Sequence, residues 1–222
     1  MRAALRHLRT IDPVLAGIIE QVGPYGLISR PERFQGLVRA IIFQQLAGRA
    51  AQAIYQRFVA LFPGVRFPSP ARVLAADDAA MRAAGLSRQK LIYIRDLATH
   101  VVNGAIKFAR FERMDDEEII VELTRVQGIG RWTAEMFLMF NLGRPDVWPV
   151  DDLGVRNAVF KAYGLATPPS PRELREIGER WRPYRTVAVW YLWQSTRIVT
   201  PNVISTPLRS ALSRRRAKAQ PV

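Results

Sequence analysis

Two adjacent carboxylates, Asp151 and Asp152, follow the apolar run Val147-Trp148-Pro149-Val150 and stand directly before a helical pattern that opens at Leu153. A carboxylate there can cap the helix by accepting its first N–H groups, and the helix dipole favours its negative charge. The same group in a cleft could instead face a developing cation or activate a water. The two roles are compatible, and spacing alone does not choose between them. Upstream, Gly128-Ile129-Gly130 separates Ile119, Ile120 and Leu123 from Ala134, Phe137, Leu138 and Met139. Glycines two apart allow a tight turn whose backbone approaches another molecule closely. The first N–H groups of the following helix lack intrahelical partners and suit an anion. No Walker lysine follows and no strand pattern precedes, so a nucleotide-binding loop fits poorly. The better reading is a helix, a hairpin and a helix gripping a nucleic-acid phosphate; the plainer one is a helix C-cap and turn.

Five tryptophans occur, Trp132, Trp148, Trp181, Trp190 and Trp193, and their helical spacing assigns most of them to the core. Trp132 differs, because it follows Arg131 on the first turn after the hairpin. An aromatic ring there can stack on a base or cover a cationic one. Gln44-Gln45-Leu46 ends an otherwise apolar helix. It is either a polar helix end with one buried leucine or a wedge, Leu46 with Gln45 beside it, that fills the gap when a base leaves the stack.

The 222 residues, 49% hydrophobic, suffice for one large or two small domains with a proper core. A net charge of +14 points to a polyanionic partner. Arg209, Arg214, Arg215, Arg216 and Lys218 lie in the last stretch, yet the rest of the chain is basic without them. Arginine outnumbers lysine 29 to 4, as coding bias would give, but such bias does not explain the excess over acids. The absence of cysteine excludes disulfides, zinc–thiolate sites and iron–sulfur clusters. His7 and His100 suggest no metal site. No signal core opens the sequence and no run approaches membrane-spanning length, which predicts a soluble intracellular protein with no membrane partner.

The elements that position these residues read as helices throughout. Asp12-Pro13 forms an N-cap and first helical residue for a helix over 14–22. A second starts between Ser29 and Pro31, carries Phe34, Leu37, Val38, Ile41 and Ile42, and ends near 44–48. A third carries Ile54, Tyr55, Phe58, Val59 and Phe62. Short helices cover 71–75 and 79–84. Ser87 caps the next, which stops at Gly104. Asp115 with Glu118 gives an acidic capping box. After the hairpin come helices over 153–163, from Ser170-Pro171 to Trp181, and from Pro183 to about Val199. No alternating strand and no repeat is visible. The expectation is an all-α chain of roughly nine or ten helices.

GIGRWTAEM followed by PVDDLGVRNAV resembles the helix–hairpin–helix DNA glycosylase superfamily, its 3-methyladenine DNA glycosylase II branch in particular. The resemblance extends to DPVLAGIIEQVGP, LVRAIIFQQLAGRAA and WRPYRTVAVWYLW, so it spans nearly the whole chain except the tail. It implies a two-lobed all-α fold with the DNA groove and active-site cleft between the lobes. Residues 1–30 and 147–205 form one lobe, 31–146 the central lobe with the hairpin at 124–130, and 206–222 a basic, disordered tail. The extra N-terminal β-domain of some relatives is missing, as are the iron–sulfur cysteines of others. By resemblance the second acid, Asp152, is catalytic and Asp151 a neighbour. Gly128 and Gly130 offer N–H groups to a phosphate, with Arg131 and Arg185 as further phosphate contacts. Trp132 and Trp193, with Tyr25, line an electron-rich base pocket. Backbone carbonyls of Thr124, Val126 and Ile129 hold a structural sodium or potassium ion, and catalysis needs no cofactor. Lyase-type relatives carry a lysine where this chain has Trp132, which cannot form a Schiff base.

The implied activity is monofunctional excision of alkylated purines from double-stranded DNA, by a monomer, in the nucleoid-bearing cytoplasm of a bacterium or the nucleus of a eukaryote. Three alternatives remain at this stage. One is a DNA-binding module without chemistry, which would not need the Asp152 context. Another is a glycosylase for deaminated or mismatched bases. The last is a metal nuclease, for which no third acid sits at a suitable spacing.

Overall fold

The computed structural model describes residues 1–196. The tail expected over 206–222 and the helix end expected near Val199 lie outside them. The described residues form α1 (Arg2–Ile11), α2 (Pro13–Val22), α3 (Arg33–Phe43), α4 (Gly48–Ala60), α5 (Pro70–Ala75), α6 (Asp78–Ala83) and α7 (Arg88–Val102). They continue with α8 (Asp116–Thr124), α9 (Arg131–Phe140), α10 (Leu153–Ala162), α11 (Pro171–Glu179) and α12 (Arg185–Ser195). A single 3-10 turn, Phe108–Arg110, precedes α8, and no strand occurs among the described residues. None of these helices is long and apolar enough to cross a membrane.

Side-chain caps set many of the starts. Asp12 accepts from Val14 N and Leu15 N, with proline at the first helical position of α2. Ser87 accepts from Lys90 N to open α7. Asp115 with Glu118, and Ser170 with Glu173, complete reciprocal capping boxes for α8 and α11. Each such cap satisfies donors that the helix leaves orphaned. The expected count of nine or ten is corrected to twelve α-helices among the described residues, α1 being the one the sequence did not suggest. Only Ala4 and Leu8 of α1 are buried, so its apolar stripe is thin between Arg2, Arg6 and Arg9.

The chain divides into two units. The first comprises Met1–Leu27 and the described residues from Arg144 onward; the second is Ile28–Gly143. In the first, α12 packs on α2 and α10, and α1 packs on α2. Leu15, Ile19, Trp181 and Tyr191 are fully buried there. Asp12, 2% exposed, joins its parts: beyond capping α2, its Oδ2 accepts from Tyr163 Oη at 2.7 Å and from Trp181 Nε1 at 2.9 Å. Burial, and then the neighbouring carboxylate, pushes the Tyr163 phenol well above its ordinary pKa. Asp12→Ala removes the cap and strands two buried donors. It is expected to cost about 2–3 kcal/mol, read as a lower denaturant midpoint in an otherwise folded protein.

In the second unit, α7 is central: α5, α6 and α3 all pack on it. α8 and α9 pair across the hairpin, and α3 touches α9. Leu37, Ile41, Ile42, Phe58, Ile94, Leu97, Phe111 and Leu138 fill its core with no exposed surface.

Candidate active site and nucleic-acid interface

In the first unit, the turn before α10 separates the two acids by exposure. Asp151 points to solvent, while Asp152 is only 8% exposed. Asp152 is the N-cap of α10, and its Oδ1 accepts from Val155 N at 2.7 Å. The same oxygen accepts from Trp193 Nε1 of α12 at 2.9 Å. Two N–H donors from different helices therefore fix the carboxylate in one orientation. Gly154 leaves room for the pair: a Cβ there would stand 3.0 Å from Asp152 Oδ1 and 3.2 Å from Trp193 Nε1. The helix cap and the buried carboxylate are one group. Tyr25, also of this unit, packs edge-on against Trp190 at 4.9 Å between centroids. Burial, and then Tyr191, pushes its phenol up to about 12, so it stays a neutral donor at physiological pH.

In the second unit the hairpin runs from the end of α8 to the start of α9. Val126 and Ile129 are buried, and Ile129 N donates to Val126 O at 3.1 Å. The two glycines are needed for different reasons. Gly128 sits at φ +81°, and a Cβ on it would meet the Tyr93 ring at 2.0 Å. Gly130 has open space around its Cα and is exposed. It is the N-cap of α9 and gives no side-chain cap, so the first N–H groups of α9 open beside an exposed, side-chain-free position. α7 supports this turn from beneath: Tyr93 covers Gly128, and Asp96 Oδ2 accepts from Gln127 N at 2.8 Å. On the first turn of α9, Trp132 is 45% exposed.

The 44–47 segment joins α3 to α4. Gln45 takes φ +55°, the left-handed region that non-glycine residues rarely enter, and both Gln45 and Leu46 are exposed, Leu46 by 40%. Of the two readings of this segment, a buried leucine is thus overturned, because the left-handed turn at Gln45 lifts Leu46 off the core. The side chain of Gln44 turns inward, and its Nε2 donates to Gly128 O at 2.8 Å. The segment and the hairpin are therefore neighbours.

The two arginines expected to contact phosphate are engaged elsewhere. Arg185 donates to Asp146 through Nε at 2.8 Å and Nη2 at 2.9 Å, its Nη1 stands 3.5 Å from Glu179, and its side chain is 13% exposed. It fastens the start of α12 to the loop between α9 and α10. Arg131 forks onto Glu117 and reaches Glu135 with Nε at 3.1 Å, bridging α8 and α9. Hydrogen bonding to Arg131 holds the Glu117 carboxyl below its usual range. Three other arginines are exposed next to these turns: Arg49 on the first turn of α4, Arg88 at the first position of α7, and Arg125 at the C-cap of α8. The first two carried a signal that sequence reading missed. A cation at a helix N-terminus opposes the dipole, which makes sense where an anion is to be held. Among the described residues no three His, Cys, Asp or Glu side chains gather into a group that could hold a metal ion.

The second unit thus carries a glycine hairpin that opens on the N-terminus of α9, and the first a buried aspartate held by two N–H donors. The chain belongs to the HhH-GPD superfamily of base excision DNA repair proteins, whose family model matches residues 38–183. It is 36% identical over 196 residues to DNA-3-methyladenine glycosylase 1 of Schizosaccharomyces pombe, covering 86% of this chain and 86% of that relative. It is 29% identical over 170 residues to DNA-3-methyladenine glycosylase 2 of Escherichia coli, covering 73% of this chain and 57% of that one. A solved structure of the Schizosaccharomyces pombe 3-methyladenine DNA glycosylase in complex with abasic DNA superposes with a TM-score of 0.80 at 35% identity, over 90% of this chain and 99% of that one. A DNA-3-methyladenine glycosidase from Bacillus halodurans gives 0.77 at 39% identity, over 85% and 88%. The resemblance read from GIGRWTAEM and PVDD is borne out at the level of family and all-helical fold.

Proposed function

We propose that this chain is a monofunctional DNA glycosylase that hydrolyses the N-glycosidic bond of alkylated purines of the 3-methyladenine and 7-methylguanine type in duplex DNA, leaving an abasic site. The observation that carries the reading is Asp152, a buried carboxylate fixed by Val155 N and Trp193 Nε1. An alkylated purine already bears positive charge and leaves with little acid assistance. The sugar left behind has oxocarbenium character, and a preorganised carboxylate stabilises it and orients the water that adds to it. Its names in relatives that match along most of their length support the same substrate class.

The base must first leave the stack, at a cost of a few kcal/mol. Leu46, with Gln45, fills the space it vacates. In the first unit Trp193 and Tyr25 supply aromatic faces that favour a cationic base; in the second the exposed ring of Trp132 can stack on a base. Gly128 and Gly130 present N–H groups to a backbone phosphate, and Arg49, Arg88 and Arg125 take the outward role that Arg131 and Arg185 do not. Thr124 ends α8 and Ile129 precedes α9, so their carbonyls fall at the edges of the helical ladders. With Val126 O they suit a sodium or potassium ion, which would add a fixed positive charge beside the phosphate. Trp132 offers no amine for Schiff-base chemistry, so the strand is left intact.

The direct test is base release from methylated duplex DNA, with strand breakage scored before and after alkali. Release with breaks only after alkali is the expected result; breaks without alkali overturn the monofunctional assignment. Release of uracil or hypoxanthine but no methylated base would transfer the chain to the deaminated-base class. Tight, salt-sensitive binding without any release would make it a binding module. Within the same assay, Trp193→Phe keeps a ring but removes the N–H that orients Asp152. Single-turnover release is expected to fall about tenfold, the worth of one charge-assisted hydrogen bond, with the melting temperature little changed.

A further inference from the structure

Gln45 holds a strained backbone conformation at an exposed position, and such strain persists only where the surroundings impose it. Two side chains do so. Lys90 of α7 reaches the end of α3 and donates through Nζ to Ile42 O at 2.7 Å and to Gln44 O at 2.8 Å. A cation there satisfies carbonyls that the helix leaves orphaned and suits its negative end. Burial lowers the Lys90 pKa from its ordinary value, as expected for an ammonium drawn into the structure. Gln44 then crosses to the hairpin, with Nε2 on Gly128 O at 2.8 Å. The peptide it touches is fixed on its other side as well, because Ile129 N donates to Val126 O. A peptide unit is planar, so the orientation of one end sets the other.

We propose that Gln44, seated by Lys90, is a positioning residue that couples the 44–47 wedge to the phosphate-clamping hairpin, so that seating a phosphate at the hairpin also sets Gln45 and Leu46 for insertion. This rests on the glycosylase reading above. The coupling runs through one side-chain hydrogen bond between two exposed turns that share α7 as their bed. Loss of that bond leaves the hairpin and the Lys90 anchor in place, loosens the turn at Gln45 and lets the wedge lag behind the clamp.

The test uses Gln44→Met, which keeps length and loses the donor, on a duplex carrying 7-methylguanine beside a 2-aminopurine reporter of unstacking. The expected result is a rise in 2-aminopurine fluorescence about tenfold slower than wild type, with base release slowed equally and affinity for undamaged duplex unchanged. In a Leu46→Ala background the same substitution is expected to add almost nothing, because the wedge it positions is gone. A merely structural bond predicts additive losses and weaker binding to every duplex, and either result overturns the proposal. So does an unchanged insertion rate. Failure of the glycosylase reading is separable: wild-type protein would then release no base, while the fluorescence comparison, repeated in Asp152→Asn, still reports insertion without chemistry.

Discussion

Asp152→Asn is expected to lower release of methylated bases at least about a hundredfold while leaving duplex binding and folding nearly intact. The asymmetry follows from the geometry. Asparagine keeps an oxygen that can accept from Val155 N and so continues to cap α10; Asn and Asp are comparable caps. What it loses is the negative charge that faces the developing cation, and removal of one preorganised electrostatic partner costs about 10²–10³ in rate. Asp151→Asn, at the exposed neighbour, should leave the rate within about twofold, in line with surface substitutions. Single-turnover kinetics of both variants, beside binding to an abasic-site duplex, decide the matter. Equal losses in the two would remove Asp152 from its role.

Gly128→Ala should be the most damaging small substitution in the second unit. It places a methyl group where the backbone has φ +81° and where Tyr93 Cδ2 stands 2.0 Å and Cγ 2.4 Å away. The backbone penalty is about 1–3 kcal/mol and the overpacking penalty similar, so a loss of about 2–4 kcal/mol is expected. DNA affinity should fall with it, on damaged and undamaged duplex alike, because the turn cannot close over Tyr93. Gly130→Ala provides the contrast. It meets open space, so stability should hold to within about half a kcal/mol, typical of a surface change. The methyl group would nonetheless stand at the mouth of the α9 N-terminus and weaken salt-dependent binding. Melting curves and fluorescence anisotropy on the pair separate packing from phosphate contact. An unchanged melting temperature for Gly128→Ala would show that Tyr93 yields.

Much of this was legible in the sequence where the physics is local. Asp12-Pro13, Ser87, Asp115 with Glu118 and Ser170-Pro171 act on donors two or three residues away, and each starts a helix as expected. Asp152 was visible as a cap, and only its partner Trp193, 41 residues on, required the structure. The ion pairs of the two arginines were hidden for the same reason. Nothing near Arg185 in sequence announces Asp146, 39 residues earlier, and Arg131 is engaged by Glu117 on another helix. The Gln44 bond to Gly128 spans 84 residues and leaves no periodic trace. α1 escaped notice because arginine recurs through it at the spacing that would otherwise mark an apolar face.

The first unit is assembled from both sides of the second, and this orders events during synthesis. Asp12 emerges from the ribosome early, yet Tyr163 and Trp181, which it must satisfy, lie 151 and 169 residues further along. At about 5–20 residues per second, α2 waits on the order of ten seconds or more with only α1 packed against it. The segment Ile28–Gly143 is contiguous and forms a compact unit of its own, so it can close during that interval. The nascent chain thus acquires its hairpin and the 44–47 turn before Asp152, and a chaperone would find its binding surface at α1 and α2 until α12 arrives.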